Sequence, residues 1–159
     1  MIRAAILTVS DSAFAGARQD LSGPALARRC TEFGWTVHAR ALVPDDPHQI
    51  STKLSQWTDS GIADLLLTTG GTGIGPRDHT PEATREVLER ELPGVAEFLR
   101  LKGLEQTPFS VLSRALAGTR GKALIVNLPG SPKGAVYSLE ILQPLVTHAL
   151  KLLAGDTEH

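Results

Sequence analysis

Residues 66–84 read LLTTGGTGIGPRDHTPEAT, an apolar run that passes into four glycines within six residues and then into Arg77, Asp78 and Thr80. An ordinary turn needs one backbone position at positive φ, and one or two glycines supply it. Four mark a backbone that something approaches closely. What suits exposed N–H groups next to a helix N-terminus is an anion. Two standard phosphate loops fail on spacing. The dinucleotide fingerprint G-x-G-x-x-G meets Pro76 where a third glycine must follow Gly71 and Gly73. The P-loop pattern fits Gly70 and Gly75, but Pro76 and Arg77 replace the lysine and hydroxyl it requires. Residues Gly70, Gly71, Thr72 and Gly73 therefore read as a phosphate cradle of neither type.

A carboxylate at a phosphate site repels its ligand unless a cation lies between them. Asp78 accordingly reads as a Mg²⁺ ligand, with Asp45 as a plausible second, because magnesium takes one or two carboxylates and fills its shell with waters and phosphates. Other roles remain open for both: Asp78 can order its own turn, and Asp45 or Asp46 can cap the helix opening at Pro47. Asp46 suits the cap better, since it directly precedes the proline. His38, His48 and His79 are not spaced as a metal pair. Ser131 precedes Pro132 as an N-cap worth about 1 kcal/mol, and no histidine lies near it in sequence to make it a nucleophile.

These residues need a scaffold that delivers them to one place. Four short apolar runs with little alternation, at 2–10, 35–43, 63–70 and 122–130, predict strands buried on both faces. Helical patterns at 22–33, 47–58, 81–91 and near 93–104 lie between them, and a last one opens at Ser131-Pro132 and recurs from Leu139 to Leu153. A capping residue followed by proline in the first turn is a helix-start signal, since that N–H has no partner inside the helix. The alternation predicts an α/β, doubly wound, mostly parallel sheet with helices on both faces. One antiparallel strand pair is expected near 111–128, around Gly118 to Gly121. In such sheets ligands bind beyond the carboxyl ends of the strands, where strand order reverses. The predicted strand ends carry Ser10 and Asp11, Asp45 and Asp46, the glycine loop, and Gly130, Ser131 and Pro132. Their convergence at one edge is the candidate site.

Bulk properties narrow the classes further. The 159 residues suit a single domain, 1–159, with no internal repeat or long linker. Sixteen Lys and Arg against seventeen Asp and Glu leave a formal charge of −1, which gives no positive field to recruit nucleic acid or anionic lipid. The single Cys30 excludes an internal disulfide and a cysteine zinc cluster, and among Leu26, Ala27 and Phe33 it reads as a small core residue. No apolar run approaches the ~18 residues of a membrane span, and the N-terminus reads as a first strand rather than a leader. A cytoplasmic protein is expected.

The segments TVSD (8–11), DLSGP (20–24), PDD (44–46), TTGGTG (68–73), PRDHTPEAT (76–84), LSRALAG (112–118), RGK (120–122) and NLPGSP (127–132) resemble, in order and through almost the whole chain, the molybdopterin adenylyltransferases. That family includes the G domain of gephyrin and plant and bacterial counterparts, together with inactive paralogues and counterparts in tungsten-cofactor synthesis. The resemblance implies a compact α/β fold, usually a homotrimer. It implies Mg²⁺-dependent transfer of AMP from ATP to the terminal phosphate of molybdopterin, with pyrophosphate leaving, and leaves open a molybdenum insertion protein as a further partner. It places the essential acidic positions on Asp45 and Asp78, the nucleotide loop on Gly70 to Gly73, and a second phosphate loop on Gly130, Ser131 and Pro132. Ser113 and Thr80 are the candidates for contact with the substrate. His79 stands where the family usually has an apolar residue. Two other functions stay open: a molybdopterin or nucleotide binding module without catalysis, and a pyridine-nucleotide or ADP-ribose hydrolase like the related competence-damage domain. The reaction requires the side chains of Asp45 and Asp78 to face the pocket between 70–73 and 130–132.

Overall fold

The computed structural model describes residues 1–157. Six strands form one sheet: β1 (Arg3–Val9), β2 (Thr36–Val43), β3 (Leu65–Thr69), β4 (Arg90–Glu91), β5 (Ala117–Arg120) and β6 (Ala123–Leu128). They lie in the order β2-β1-β3-β6-β5-β4. β2, β1, β3 and β6 run parallel, whereas β5 runs antiparallel to both β6 and β4. The expected antiparallel pair is thus β5 and β6. It starts later than 111, because Pro108–Leu112 forms a short 3-10 turn before it.

Among the described residues, five α-helices lie between the strands, α1 (Asp11–Phe14), α2 (Ser22–Glu32), α3 (Pro47–Asp59), α4 (Thr80–Val87) and α5 (Pro93–Gly103), and α6 (Pro132–Ala154) follows the last. The sheet alternates residues to two faces, as its pleat dictates. On one face Ala4, Ile6, Leu65, Leu67, Leu124 and Val126 pack with Leu26 and Cys30 of α2 and with Leu139, Leu142 and Val146 of α6. On the other, Ala5, Leu7, Leu66 and Ile125 pack with Ile50, Leu54 and Trp57 of α3 and Ala83 and Val87 of α4. Strands covered on both faces need apolar residues at every position, which explains their missing alternation. Burial raises the Cys30 thiol to about 12, so it stays protonated in the core.

The helix expected over 81–91 ends sooner. Leu88 turns extended, at φ −69° and ψ 133°, and the Glu89 N–H donates to the Thr119 carbonyl at 2.8 Å. The chain then pairs through β4 with the exposed edge of β5 instead of continuing to coil. Among the described residues no helix is long and apolar enough to cross a membrane.

Candidate functional site

Strand order reverses between β1 and β3, because the chain passes from β1 outward to β2 and then back across to β3. Ser10-Asp11, the glycine loop and the loop after β6 all leave the sheet at this edge. They pack so closely that glycine is required. A Cβ on Gly70, at φ +102°, would lie 2.3 Å from the Val9 carbonyl oxygen. One on Gly71, at φ +69°, would lie 2.3 Å from the Thr80 Oγ1. A Cβ on Gly130 would sit 3.3 Å from the Gly70 Cα, so the second loop rests on the first.

The hydrogen bonding of the glycine loop is one-sided. Thr80 Oγ1 donates to the Gly70 carbonyl at 2.8 Å, and Thr80 N–H to the Gly71 carbonyl at 3.1 Å. Arg114 donates its main-chain N–H to Thr72 and its Nε–H to Gly73, each at 2.8 Å. Every carbonyl from 70 to 73 therefore has a donor. Among the described residues no acceptor meets the N–H groups of Gly71, Thr72, Gly73, Gly130 or Ser131. Backbone donors left over where their carbonyls are all satisfied form an anion-binding concavity. Ser131 adds the N-terminus of α6: its Oγ accepts from the Gly134 N–H at 3.1 Å, as its expected capping role requires.

The carboxylates form a second layer beside the loop. Asp11 and Asp45 exchange hydrogen bonds: the Asp11 N–H donates to Asp45 Oδ2 at 2.8 Å, and the Asp45 N–H to Asp11 Oδ1 at 2.9 Å. Arg77 donates to both oxygens of Asp11, at 3.0 and 3.2 Å, and holds that carboxyl below its usual range. Burial, followed by the charges of Asp11 and Asp78, pushes the Asp45 carboxyl up despite the Asp11 N–H. Asp78 Oδ2 accepts from the Gly75 N–H at 2.8 Å, so it does order its own turn. Asp46 caps α3 through the Gln49 N–H, also as expected.

Two cavities flank the loop. A polar one of about 290 Å³ is lined by Ser10, Asp20, Thr69, Gly70, Gly130, Ser131 and Pro132. A more apolar one of about 370 Å³ lies under α5 and the 3-10 turn, and Thr72, Gly73, Ser113 and Ser131 line it. Ser131 borders both. The structure thus brings together Ser10, Gly70, Thr72, Gly73, Ser113, Gly130, Ser131 and Pro132. One expectation is corrected, the substrate contact of Thr80. The Asp45 and Asp78 carboxylates lie against the glycine loop, Asp45 Oδ1 3.2 Å from where a Cβ on Gly71 would be and Asp78 Oδ2 2.8 Å from where one on Gly73 would be. Thr80 has no exposed surface, so it holds the loop and offers nothing to a substrate. The Asp11 carboxylate is bound to Arg77 and to the Asp45 N–H.

The donor set can be tested against a magnesium ion. Asp45 and Asp78 each keep one oxygen that no donor meets among the described residues, and Asp45 carries charge that its surroundings disfavour. That is hard-oxygen chemistry suited to Mg²⁺ with waters and phosphates completing the shell. It is not a protein cage, for no group of three or more metal-binding side chains occurs among the described residues.

Sequence reading missed Arg114 and Asp20. Arg114 lay inside an expected strand, where its neighbours could not be foreseen. Asp20 bonds Thr8 Oγ1 at 2.8 Å and the Gly23 N–H at 3.0 Å, closing one wall of the polar cavity. The only signal for it was its place in the DLSGP segment.

Comparison with known proteins agrees with this geometry. Residues 5–148 match the family described as "Probable molybdopterin binding domain". The chain is 39% identical over 158 residues to the molybdopterin adenylyltransferase of Helicobacter pylori strain J99, covering 98% of this chain and 89% of that protein. It is 40% identical over 95% of its length to the molybdenum cofactor synthesis protein cinnamon of Drosophila melanogaster, of which it spans only 25%. The crystal structure of the molybdopterin biosynthesis enzyme MoaB from Thermus thermophilus superposes with a TM-score of 0.91 at 54% identity, covering 98% of both chains. A family match over most of the length together with a shared fold has one reading: the chain belongs to the molybdopterin-binding domain family of molybdenum cofactor biosynthesis.

Proposed function

We propose that this protein is a molybdopterin adenylyltransferase, transferring AMP from ATP to the terminal phosphate of molybdopterin. A phosphate oxygen of molybdopterin attacks the α-phosphorus of ATP, the bond from that phosphorus to the bridging oxygen breaks, and pyrophosphate leaves. The observation that carries the reading is the polarity of the glycine loop: its carbonyls are taken by protein donors while the N–H groups of Gly71, Thr72 and Gly73 are free. Two cavities meeting at Ser131 suit a reaction that joins two substrates.

Transfer between phosphates needs alignment and charge neutralisation more than a covalent nucleophile. The loop N–H groups and the α6 N-terminus supply fixed donors for phosphate oxygens without reorganising during the reaction. Ser113, whose Oγ accepts from the Ala115 N–H at 3.2 Å at the edge of the apolar cavity, is the candidate contact for the pterin phosphate. Asp45 and Asp78 would hold Mg²⁺, which when bound neutralises phosphate charge. Arg77 spends its guanidinium on Asp11, and Asp45 keeps one oxygen that no donor meets among the described residues. The reading extends to a homotrimer, a cytoplasmic setting and a molybdenum insertion protein as downstream partner.

Pyrophosphate release with molybdopterin as acceptor tests the reaction directly. Asp78→Asn keeps the acceptor oxygen for the Gly75 N–H and removes the charge, so transfer is expected to fall about 100-fold while the fold persists. Normal transfer by that variant would remove Asp78 from the metal site. Metal-independent ATP binding in calorimetry, with no pyrophosphate formed, would select the binding module instead. Product release from ADP-ribose alone would select the hydrolase.

A further inference from the structure

The glycine loop is held from behind by a side chain to which the proposed reaction gives no role. Arg114 follows the 3-10 turn, and its donors reach three carbonyls of the loop and its exit: Thr72 through the main-chain N–H at 2.8 Å, Gly73 through Nε at 2.8 Å, and Asp78 through Nη2 at 2.9 Å. Its Nη1 is paired with Glu82 in the first turn of α4. The segment carrying it is fixed in turn by Arg100 of α5, which donates to the Ser113 and Ala115 carbonyls at 3.4 and 3.0 Å.

A peptide unit is planar, so fixing a carbonyl fixes the direction of the N–H that follows it. Thr80 fixes the 70–71 and 71–72 units. Arg114 fixes the 72–73 and 73–74 units, whose N–H groups belong to Gly73 and Ile74 and meet no acceptor among the described residues. Its guanidinium also places a positive charge behind a loop that presents donors in front. The planar fork spreads separate donors to two carbonyls and a carboxylate, whereas a lysine ammonium concentrates its donors at one point.

We propose that Arg114 is a positioning residue for the phosphate cradle: it holds two loop peptides so that the N–H groups of Gly73 and Ile74 stay turned toward a bound phosphate. This rests on reading residues 70–73 as that cradle. Calorimetry on the full chain, with inorganic pyrophosphate and with adenosine as probes, tests it. Arg114→Ala is expected to weaken pyrophosphate binding about tenfold or more while adenosine stays within about twofold. Arg114→Lys falls between, restoring charge but not the fork. A merely structural arginine would weaken both probes alike. In amide NMR of the wild type, pyrophosphate is expected to shift the Gly73 and Ile74 signals, and Arg114→Ala should abolish the Ile74 shift while the Gly73 peptide stays held by the main-chain N–H that alanine keeps. If Arg114→Ala does not fold, Glu82→Gln loosens the guanidinium without deleting it and should cost about threefold in pyrophosphate affinity alone. Unchanged pyrophosphate affinity in these variants overturns the proposal, as does a wild type that binds no pyrophosphate. A wild type that binds pyrophosphate through these amides yet transfers no AMP would refute the adenylyl-transfer reading and leave the role of Arg114 standing.

Discussion

At Gly70 two separate constraints coincide, a left-handed backbone at φ +102° and a neighbouring carbonyl 2.3 Å from where a Cβ would be. Gly16 has only the first, since at φ +78° a Cβ there would meet nothing within 4 Å. The pair therefore separates strain from contact. Gly16→Ala should cost about 1 kcal/mol through backbone strain alone. Gly70→Ala should cost about 3 kcal/mol or more, because β1 and the loop must also move apart. Thermal unfolding of the two variants checks this, and equal losses would show that the Val9 contact is soft. The same reasoning explains why two acidic residues were legible in sequence and one was not. Asp46 and Asp78 each act on an N–H three residues away, so a cap-then-proline pattern and a glycine turn show them. What Asp45 meets depends on Asp11, thirty-four residues away, and on how the glycine loop folds back.

Among the elements, β1 and β3 are adjacent parallel strands inside the sheet, and the pairing of Arg3 with Asp64 ties the start of one to the turn that leads into the other. Arg3 donates from its main-chain N–H and from Nε to Asp64 Oδ2, each at 3.1 Å, and from Nη2 to Oδ1 at 2.6 Å. The Arg3 guanidinium, and then its main-chain N–H, hold the Asp64 carboxyl below its usual range against the effect of burial. A depressed folded-state pKa contributes stability that is present above the unfolded value, about 3.9, and is lost as pH falls through the folded one. Asp64→Asn should cost about 1 kcal/mol at pH 7, a figure kept small because the pair is partly exposed. Urea midpoints of wild type and variant should converge in acid, below the ordinary carboxylate range. A gap that persists there would assign the cost to packing. The early end of α4 belongs to this scale too. Its residues allow a longer helix, and an unpaired edge of β5 supplied the partner that stopped it.

In the whole molecule, six exposed apolar side chains, Phe98, Leu101, Leu104, Phe109, Val111 and Leu112, fall on α5, the segment after it and the 3-10 turn. Such a concentration is uncommon on a monomer's surface and marks the face where the proposed homotrimer would make its contacts. Light scattering should give three times the monomer mass, and Leu101→Glu with Val111→Glu should reduce it to one. A monomeric wild type would end the trimer proposal, and a trimer that survives both charges would place the contact elsewhere. The four parallel strands, the helix starts at Asp46 and Ser131, and the need for glycine after β3 were all determined by the sequence alone. Each depends on burial pattern, on a cap a few residues away, or on a backbone conformation that one residue type permits. Tertiary structure alone decided that Arg114 reaches Gly73 across forty-one positions, that Thr80 is buried beneath the loop, and that the Asp45 carboxylate meets the Asp11 N–H beside Gly71. Those outcomes depend on which loops meet at the edge between β1 and β3, and hydrogen bonds between distant segments exist only once that edge is assembled.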